Sequence, residues 1–329
     1  MNTTEILAAF QKMSALVVGD ICLDHWCTYD PALADASRET GIPRIGVIGS
    51  EVSPGAGGTV ANNLVALDAS RVAVVGVLGD DGNGFELTRA LHARGISLDF
   101  IVKDPNLPTF TYTKLLNAET GIEDKPRVDF VPFRPLPEQT DRQVMTRLES
   151  AFSGFDVILV ADQAETEYGG VITPNMRRLL RKLALRHPEK VVWVDSRRRT
   201  EHYRGLIVKP NRAEADEACM RLFGVIDYQR LRQILETKLL FVTRGAEGAV
   251  VVEPGRETAV PTAGVQKPVD ICGAGDSFSA GAALTLAVTG SAVEAARFGN
   301  LVASVTVMKT GTGTATPEEV LAAEVAIHK

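Results

Sequence analysis

Short apolar runs that end on polar residues constrain this chain more than any other feature. Leu16-Val17-Val18-Gly19 runs into Asp20, residues 156–161 into Asp162-Gln163, and Val191–Val194 into Asp195-Ser196-Arg197. An apolar run without alternation is the pattern of a strand buried on both faces of a parallel sheet. Helical spacing appears between such runs, over 6–13, over 85–94 up to Gly95, over 138–152, and from Thr173-Pro174 and Thr316-Pro317 onward. Further strands are predicted over 72–78, 109–116, 127–131, 239–243 and 249–252. The alternation predicts an α/β fold. Open sheets of this kind bind ligands beyond the carboxyl ends of their strands. Asp20 and Asp24 fall there, although either also suits a plain turn.

The stretch Val269-Asp270-Ile271-Cys272-Gly273-Ala274-Gly275-Asp276-Ser277-Phe278 carries the strongest chemistry. Phe278, Ala282 and Leu286 follow at helical spacing, so the Gly-Ala-Gly turn opens a helix. Such a turn leaves N–H groups unpaired, and with the helix dipole they attract an anion. Gly273 and Gly275 keep no side chain in the anion's way. Asp276 then stands next to a site that repels it, which makes sense for a base that takes a proton from an attacking hydroxyl. A first-turn acid with no such role fits the local pattern equally well.

A second glycine-rich stretch, Pro54-Gly55-Ala56-Gly57-Gly58-Thr59-Val60-Ala61-Asn62-Asn63-Leu64, also opens a helix, with Val60, Leu64 and Leu67 on one face. No Gly-Lys-Ser/Thr follows it, and it is not a Gly-x-Gly-x-x-Gly loop, so neither standard nucleotide motif applies.

Bulk properties exclude several classes. The net charge of −6 and pI near 5.5 give nucleic-acid binding no support. No apolar run approaches the roughly 20 residues that span a bilayer. No basic segment followed by an apolar one opens the chain, so a cytoplasmic protein is expected. Cys22, Cys27, Cys219 and Cys272 form no Cys-x-x-Cys pair and predict reduced, mostly buried thiols.

Asp-x-x-Gly-Ala-Gly-Asp-x-Phe, together with the 54–64 stretch, resembles the two signatures of the PfkB/ribokinase family of sugar kinases. The resemblance runs from Val17 to about Leu321. It implies a ribokinase-like three-layer sandwich with a mostly parallel central sheet. It further implies a single kinase domain over 1–329 with a small β lid, from about 27–52 and 109–131, inserted in it. ATP would be the phosphoryl donor, with Mg²⁺ and a monovalent cation (K⁺) as cofactors. Asp276 would be the base, and Gly273, Ala274 and Gly275 the anion hole. Asp24, Gly55, Ala56, Thr59 and Asn63 would meet the sugar, with Asp20 beside them. Ala56 and Thr59 stand where the family has Gly and Asn, and a hydroxyl offers less than a carboxamide. Lys114 and Arg127 suit an anionic group on the acceptor, or are solvated strand charges. Ser37–Pro43 is either a substrate contact or ordinary loop.

On the donor side, Lys209-Pro210-Asn211-Arg212-Ala213-Glu214 is similar to the family's Asn-x-x-Glu motif. It implies that Asn211 lies near the phosphates and that Glu214 acts on Mg²⁺ through water. The same pair also reads as a capping box. Arg244, Gly245 and Gly248 would line the nucleotide site and Asn300 the adenine pocket. Lys309–Thr314 and Asp270 would hold the monovalent cation. The run Arg197-Arg198-Arg199 suits a solvated loop better than a phosphate clamp. Gly79-Asp80-Asp81 suits an N-cap at least as well as a ligand contact. Phe298, Leu301, Val302, Val305 and Met308 are expected to face the core.

Gly19-Asp20-x-x-Leu23-Asp24, Pro54-Gly55 with Val60-Ala61-x-Asn63, Tyr203-Arg204-Gly205 and Lys309-x-Gly311-Thr312 are similar to the D-glycero-D-manno-heptose 7-phosphate kinase branch. That branch phosphorylates an anomeric hydroxyl and is often fused to a nucleotidyltransferase, which this sequence does not carry. A ketose, a nucleoside or a sugar phosphate remains open as acceptor. A non-catalytic sugar sensor on the same fold is the rival, supported by Thr59 alone. Two exposed lid strands need an edge partner, so a homodimer through the lid is expected.

Overall fold

The computed structural model describes residues 1–166, 168–262, 265 and 267–327. The strands are β1 (Ser14–Gly19), β2 (Ile21–Asp30), β3 (Gly46–Ala56), β4 (Arg71–Gly79), β5 (Ser97–Asp104), β6 (Thr111–Asn117) and β7 (Val128–Phe130). They continue with β8 (Val157–Asp162), β9 (Val191–Ser196), β10 (Ile207–Val208), β11 (Leu240–Thr243), β12 (Ala249–Glu253) and β13 (Arg256–Val260). The helices are α1 (Thr3–Phe10), α2 (Gly57–Ala66), α3 (Gly82–His92), α4 (Glu138–Phe152) and α5 (Pro174–Arg186). Then come α6 (Arg212–Phe223), α7 (Tyr228–Ile234), α8 (Ala274–Thr289), α9 (Ala292–Thr306) and α10 (Pro317–Ile327).

Nine strands form one sheet in the order β13-β12-β11-β10-β9-β8-β1-β4-β5. Pairing is parallel except at β11/β12 and β12/β13. Helices α1, α2, α8, α9 and α10 bury their apolar sides on one face, and α4 to α7 on the other. The three layers and the mostly parallel sheet agree with the sequence reading. Burial of two apolar faces drives the assembly. β5 and β13, which the sequence does not single out, are the two edges of the sheet. An edge strand is only partly covered, so it needs no continuous apolar run.

A separate four-stranded sheet, in the order β3-β2-β6-β7, covers the two segments expected to be a lid. It begins earlier than expected. A single residue, Asp20, separates β1 from β2, and β3 runs straight into α2. The loop with Ser37–Pro43 is mostly exposed and closed by its own turn, Ser37 N–H to the Ile42 carbonyl at 2.9 Å. Asp81 caps α3, accepting from the Gly84 amide at 2.7 Å.

The core reading fails at one position. Phe298, Leu301 and Val302 are buried, but Met308 is 49% exposed just past the end of α9. Cys22, Cys27 and Cys219 are buried and Cys272 half-buried, all as free thiols. Among the described residues no helix is long and apolar enough to cross a membrane. Trp193 is fully buried and packs 4.6 Å from Phe241 and 6.4 Å from Phe278, ring to ring.

Candidate active site

The Gly-Ala-Gly turn is fixed before the helix begins. The Val269 and Asp270 amides both donate to the Val307 carbonyl, at 2.8 and 3.1 Å. The Asp270 carboxylate accepts from the Cys272 amide at 2.9 Å and the Gly311 amide at 3.0 Å. The stretch is thereby tied to the loop that follows α9. Gly273 then caps α8 at φ 76°, where a Cβ would be strained, and no side chain caps the helix. Among the described residues, the Gly275 and Asp276 amides have no acceptor. The sequence expects Gly273, Ala274 and Gly275 as the donors of this turn, but the Ala274 amide is taken by the Ile271 carbonyl at 3.2 Å.

The turn lines a cleft of about 620 Å³. Asp276 lies on that lining together with Asp195, Arg197, Lys209, Asn211 and Glu214. Burial, then the charge of Asp195, pushes the Asp276 carboxyl up to about 7, while Lys209 and Arg197 pull the other way. Lys209 is 3% exposed, and its Nζ lies 2.6 Å from Asp195 Oδ2. Burial works against its charge, but Asp195 and then Glu214 outweigh it and hold the ammonium above its ordinary value. A Cβ on Gly275 would stand 3.2 Å from Lys209 Nζ, so the ammonium lies directly against the turn.

Asn211 and Glu214 form the capping box of α6. Asn211 Oδ1 accepts from the Glu214 amide at 2.9 Å, and Glu214 Oε2 accepts from the Asn211 amide at 2.8 Å. The cap does not exclude a role in the cleft, because both residues line it. Burial, then Asp195, raises Glu214 to about 7. Gly245, Gly248 and Asn300 also line the cleft, and Asn300 Nδ2 donates to the Val260 carbonyl at 3.0 Å. Arg244 is not on the lining. Its backbone N–H closes the turn onto the Gly248 carbonyl at 2.7 Å.

The small sheet lies beside the cleft without lining it, and the charge of Asp24 is felt at Asp276. Asp24 on β2 pairs in register with Ser53 on β3 and Tyr112 on β6. Gly55 makes room for it, since a Cβ there would lie 2.5 Å from the carboxylate. Burial raises Asp24 to about 6, against the opposing charges of Lys114, Arg127 and Arg197. Arg127 pairs with Asp129 at 2.8 Å and lies over the Tyr112 ring at 4.4 Å. Trp26, the register partner of Lys114, lies 3.8 Å from where a Cβ on Gly311 would stand. The small sheet thus reaches the loop that holds Asp270.

Three expected substrate residues are placed differently. Asp20 is 2% exposed and accepts the amides of Gln163, Ala164 and Val171 at 2.8 to 2.9 Å. With both oxygens taken, it fixes the loop after β8 rather than facing a ligand. Thr59 is 1% exposed, its hydroxyl donates to the Pro54 carbonyl at 3.3 Å, and its methyl carbon packs against Gly273. Asn63 is fully buried and donates to the Thr59 carbonyl at 3.0 Å. Ala56 caps α2 at φ 51°, which is unusual for a residue with a Cβ.

Sequence reasoning missed Lys209, Asp195 and Arg197. The signal for Lys209 is a lysine set directly after the short strand β10, where a buried cation needs a partner. The arginine run divides. Arg199 is buried on Asp162 at 3.1 Å, Arg198 donates to the Glu165 carbonyl at 2.5 Å, and Arg197 enters the cleft.

The chain matches the family described as pfkB family carbohydrate kinase over residues 17–319. It is 32% identical to the bifunctional protein HldE of Trichlorobacter lovleyi, over 100% of this chain and 67% of that protein. Relatives of that name are matched over 64–67% of their length. Among solved structures, phosphofructokinase-2 from Escherichia coli in complex with potassium superposes with TM-score 0.74 at 18% identity, over 96% of this chain and 100% of that one. Arabidopsis thaliana ribokinase complexed with ribose and ATP gives 0.67 at 20%, over 94% and 98%. The glycine-turn cleft, the three-layer fold and the family match lead to one conclusion: this chain belongs to the PfkB family of carbohydrate kinases.

Proposed function

We propose that the cleft transfers the γ-phosphoryl group of ATP to a hydroxyl of a sugar or sugar phosphate, with Asp276 as the base. The observation that carries this reading is Asp276 itself. It sits in the first turn of α8 beside unpaired amides, with its carboxyl near pH 7, where a base can both take and release a proton. Of the expected anion hole, Gly273, Ala274 and Gly275, the Ala274 amide is spent on the Ile271 carbonyl, so the Gly275 and Asp276 amides meet the negative charge that develops on the transferred group. Asn211, Gly245, Gly248 and Asn300 line the donor side.

Asp195, Glu214 and Asp276 share the cleft with Lys209 and Arg197, and among the described residues no cluster of side chains would hold a metal ion by itself. Mg²⁺, held by the phosphates and by Glu214 through water, supplies charge neutralisation when bound. A monovalent cation fits the loop that Asp270 ties to Gly311. By analogy, the ATP-bound ribokinase supports ATP as the donor and the potassium-bound phosphofructokinase supports the monovalent cation. On the acceptor side, Asp24 takes sugar hydroxyls, and Lys114 and Arg127 favour an anionic acceptor such as a heptose 7-phosphate. The small sheet acts as a lid. Its exposed apolar Val47 and Ile48 on β3 give a homodimer its contact.

The test is ATP turnover with Mg²⁺ and K⁺ across sugars, sugar phosphates and nucleosides. ADP release with one sugar phosphate is the expected result. Turnover with nucleosides alone would discard the anionic-acceptor reading, and no turnover with any acceptor would discard the mechanism.

A further inference from the structure

Arg197 is a cleft residue whose charge reaches both halves of the site. It lines the cavity with Asp276, Lys209 and Glu214. Its charge also acts on Asp24 and Tyr112 of the small sheet. The side chain is 46% exposed, yet it is held at two points. Nε donates to Gln163 Oε1 at 2.8 Å, and Nη1 to Glu165 Oε1 at 2.5 Å. Its amide donates to the Asp162 carbonyl at 3.1 Å. Gln163 is itself 5% exposed, and its amide is fixed by Asp20 at 2.8 Å. Among the described residues, Arg197 Nη2 has no partner.

A guanidinium oriented by two acceptors, with donor capacity left over, is preorganised for an anion. Lys209 is the neighbouring cation, but its ammonium is already committed to Asp195. In an in-line transfer, the group between donor and acceptor is the phosphoryl in flight. We propose that Arg197 is a catalytic residue whose guanidinium holds the equatorial oxygens of the transferring phosphoryl group, with Gln163 and Glu165 as its positioning residues. The proposal rests on the kinase reading above.

The test uses the full chain with Mg²⁺ and ATP, with the acceptor found above and with water as a slow acceptor. Arg197→Ala is expected to lower kcat by roughly 10²–10³, while KM for the acceptor and Kd for ADP change less than threefold. Added guanidine hydrochloride at millimolar level should restore part of the rate in Arg197→Ala and none in Asp276→Asn. Arg197→Lys keeps a charge but not the fork, and is expected to fall between. It also serves if the alanine variant folds poorly. A raised acceptor KM with kcat intact would move Arg197 to the acceptor's own anion and overturn the proposal. An unchanged kcat would return it to a solvated loop. Wild-type protein that turns over no ATP at all would sink the kinase reading instead, so the two failures are distinguishable.

Discussion

Two glycine-rich turns open two helices in this molecule, and they differ in an instructive way. Gly273 before α8 and Ala56 before α2 both stand at positive φ, at 76° and 51°, and neither helix has a side-chain cap. The first turn uses glycine and leaves amides unpaired on the cleft. The second carries a Cβ, and its first amide, from Gly57, is already spent on the Asp20 carbonyl at 2.9 Å. The two turns touch through Thr59 and Gly273. What separates them is position: the first amide of α8, from Ala274, is likewise spent on the Ile271 carbonyl at 3.2 Å, but the cleft lining includes that turn and not the other. The same conformational device therefore does not imply the same chemistry.

Asp276→Asn should break the comparison most strongly, lowering turnover by roughly 10²–10⁴ with acceptor KM little changed. A loss under tenfold in a folded variant would remove Asp276 from the base role. The same variant tests the electrostatics. The wild-type carboxyl keeps its proton up to about 7 in the fold but gives it up near 3.8 when unfolded. Its stability contribution is therefore full below pH about 4 and is lost as pH rises through 7. Asp276→Asn should be more stable than wild type at pH 8, by on the order of 2 kcal/mol, with no gain at pH 4. Thermal melts at both values decide it.

On the other turn's side, Asp24→Asn should raise acceptor KM about tenfold or more with kcat within threefold, since it removes binding rather than transition-state contact. Steady-state kinetics with the preferred sugar checks this. The acid limb of kcat/KM is expected near pH 7, because activity needs ionised Asp276. Asp195→Asn removes a charge that raises Asp276, so the limb should move to lower pH.

The smallest effects sharpen the contrast in backbone. Gly273→Ala should cost roughly 1–3 kcal/mol, because alanine at φ 76° is strained and Thr59 stands 3.2 Å from its Cβ. Ala56→Gly should instead be neutral or stabilising by up to about 1 kcal/mol, as relieved strain offsets added chain entropy. Chemical denaturation of both variants gives the two signs.

The legible parts were those written in local pattern. Continuous apolar runs gave β1, β8 and β9, and the glycine turn gave the start of α8 with Asp276 on it. What stayed hidden depends on pairing across long sequence separations. Asp20 looks like a ligand contact until the Gln163, Ala164 and Val171 amides are seen to hold it. Lys209 looks like a surface lysine until Asp195 is placed 2.6 Å away. Three adjacent arginines look alike in sequence. The loop after β9 sends one into the cleft and one into the interior beside Asp162.

The placement of the two tryptophans has a practical consequence. The sequence carries only Trp26 and Trp193. Trp26 rides on the small sheet, half-buried near Gly311, whereas Trp193 is sealed in the interior against Phe241 and Phe278. Intrinsic fluorescence is thus a two-channel signal. A Trp193→Phe variant would leave Trp26 as a single optical reporter, whose emission follows the approach of the small sheet to the cleft as nucleotide and sugar are added.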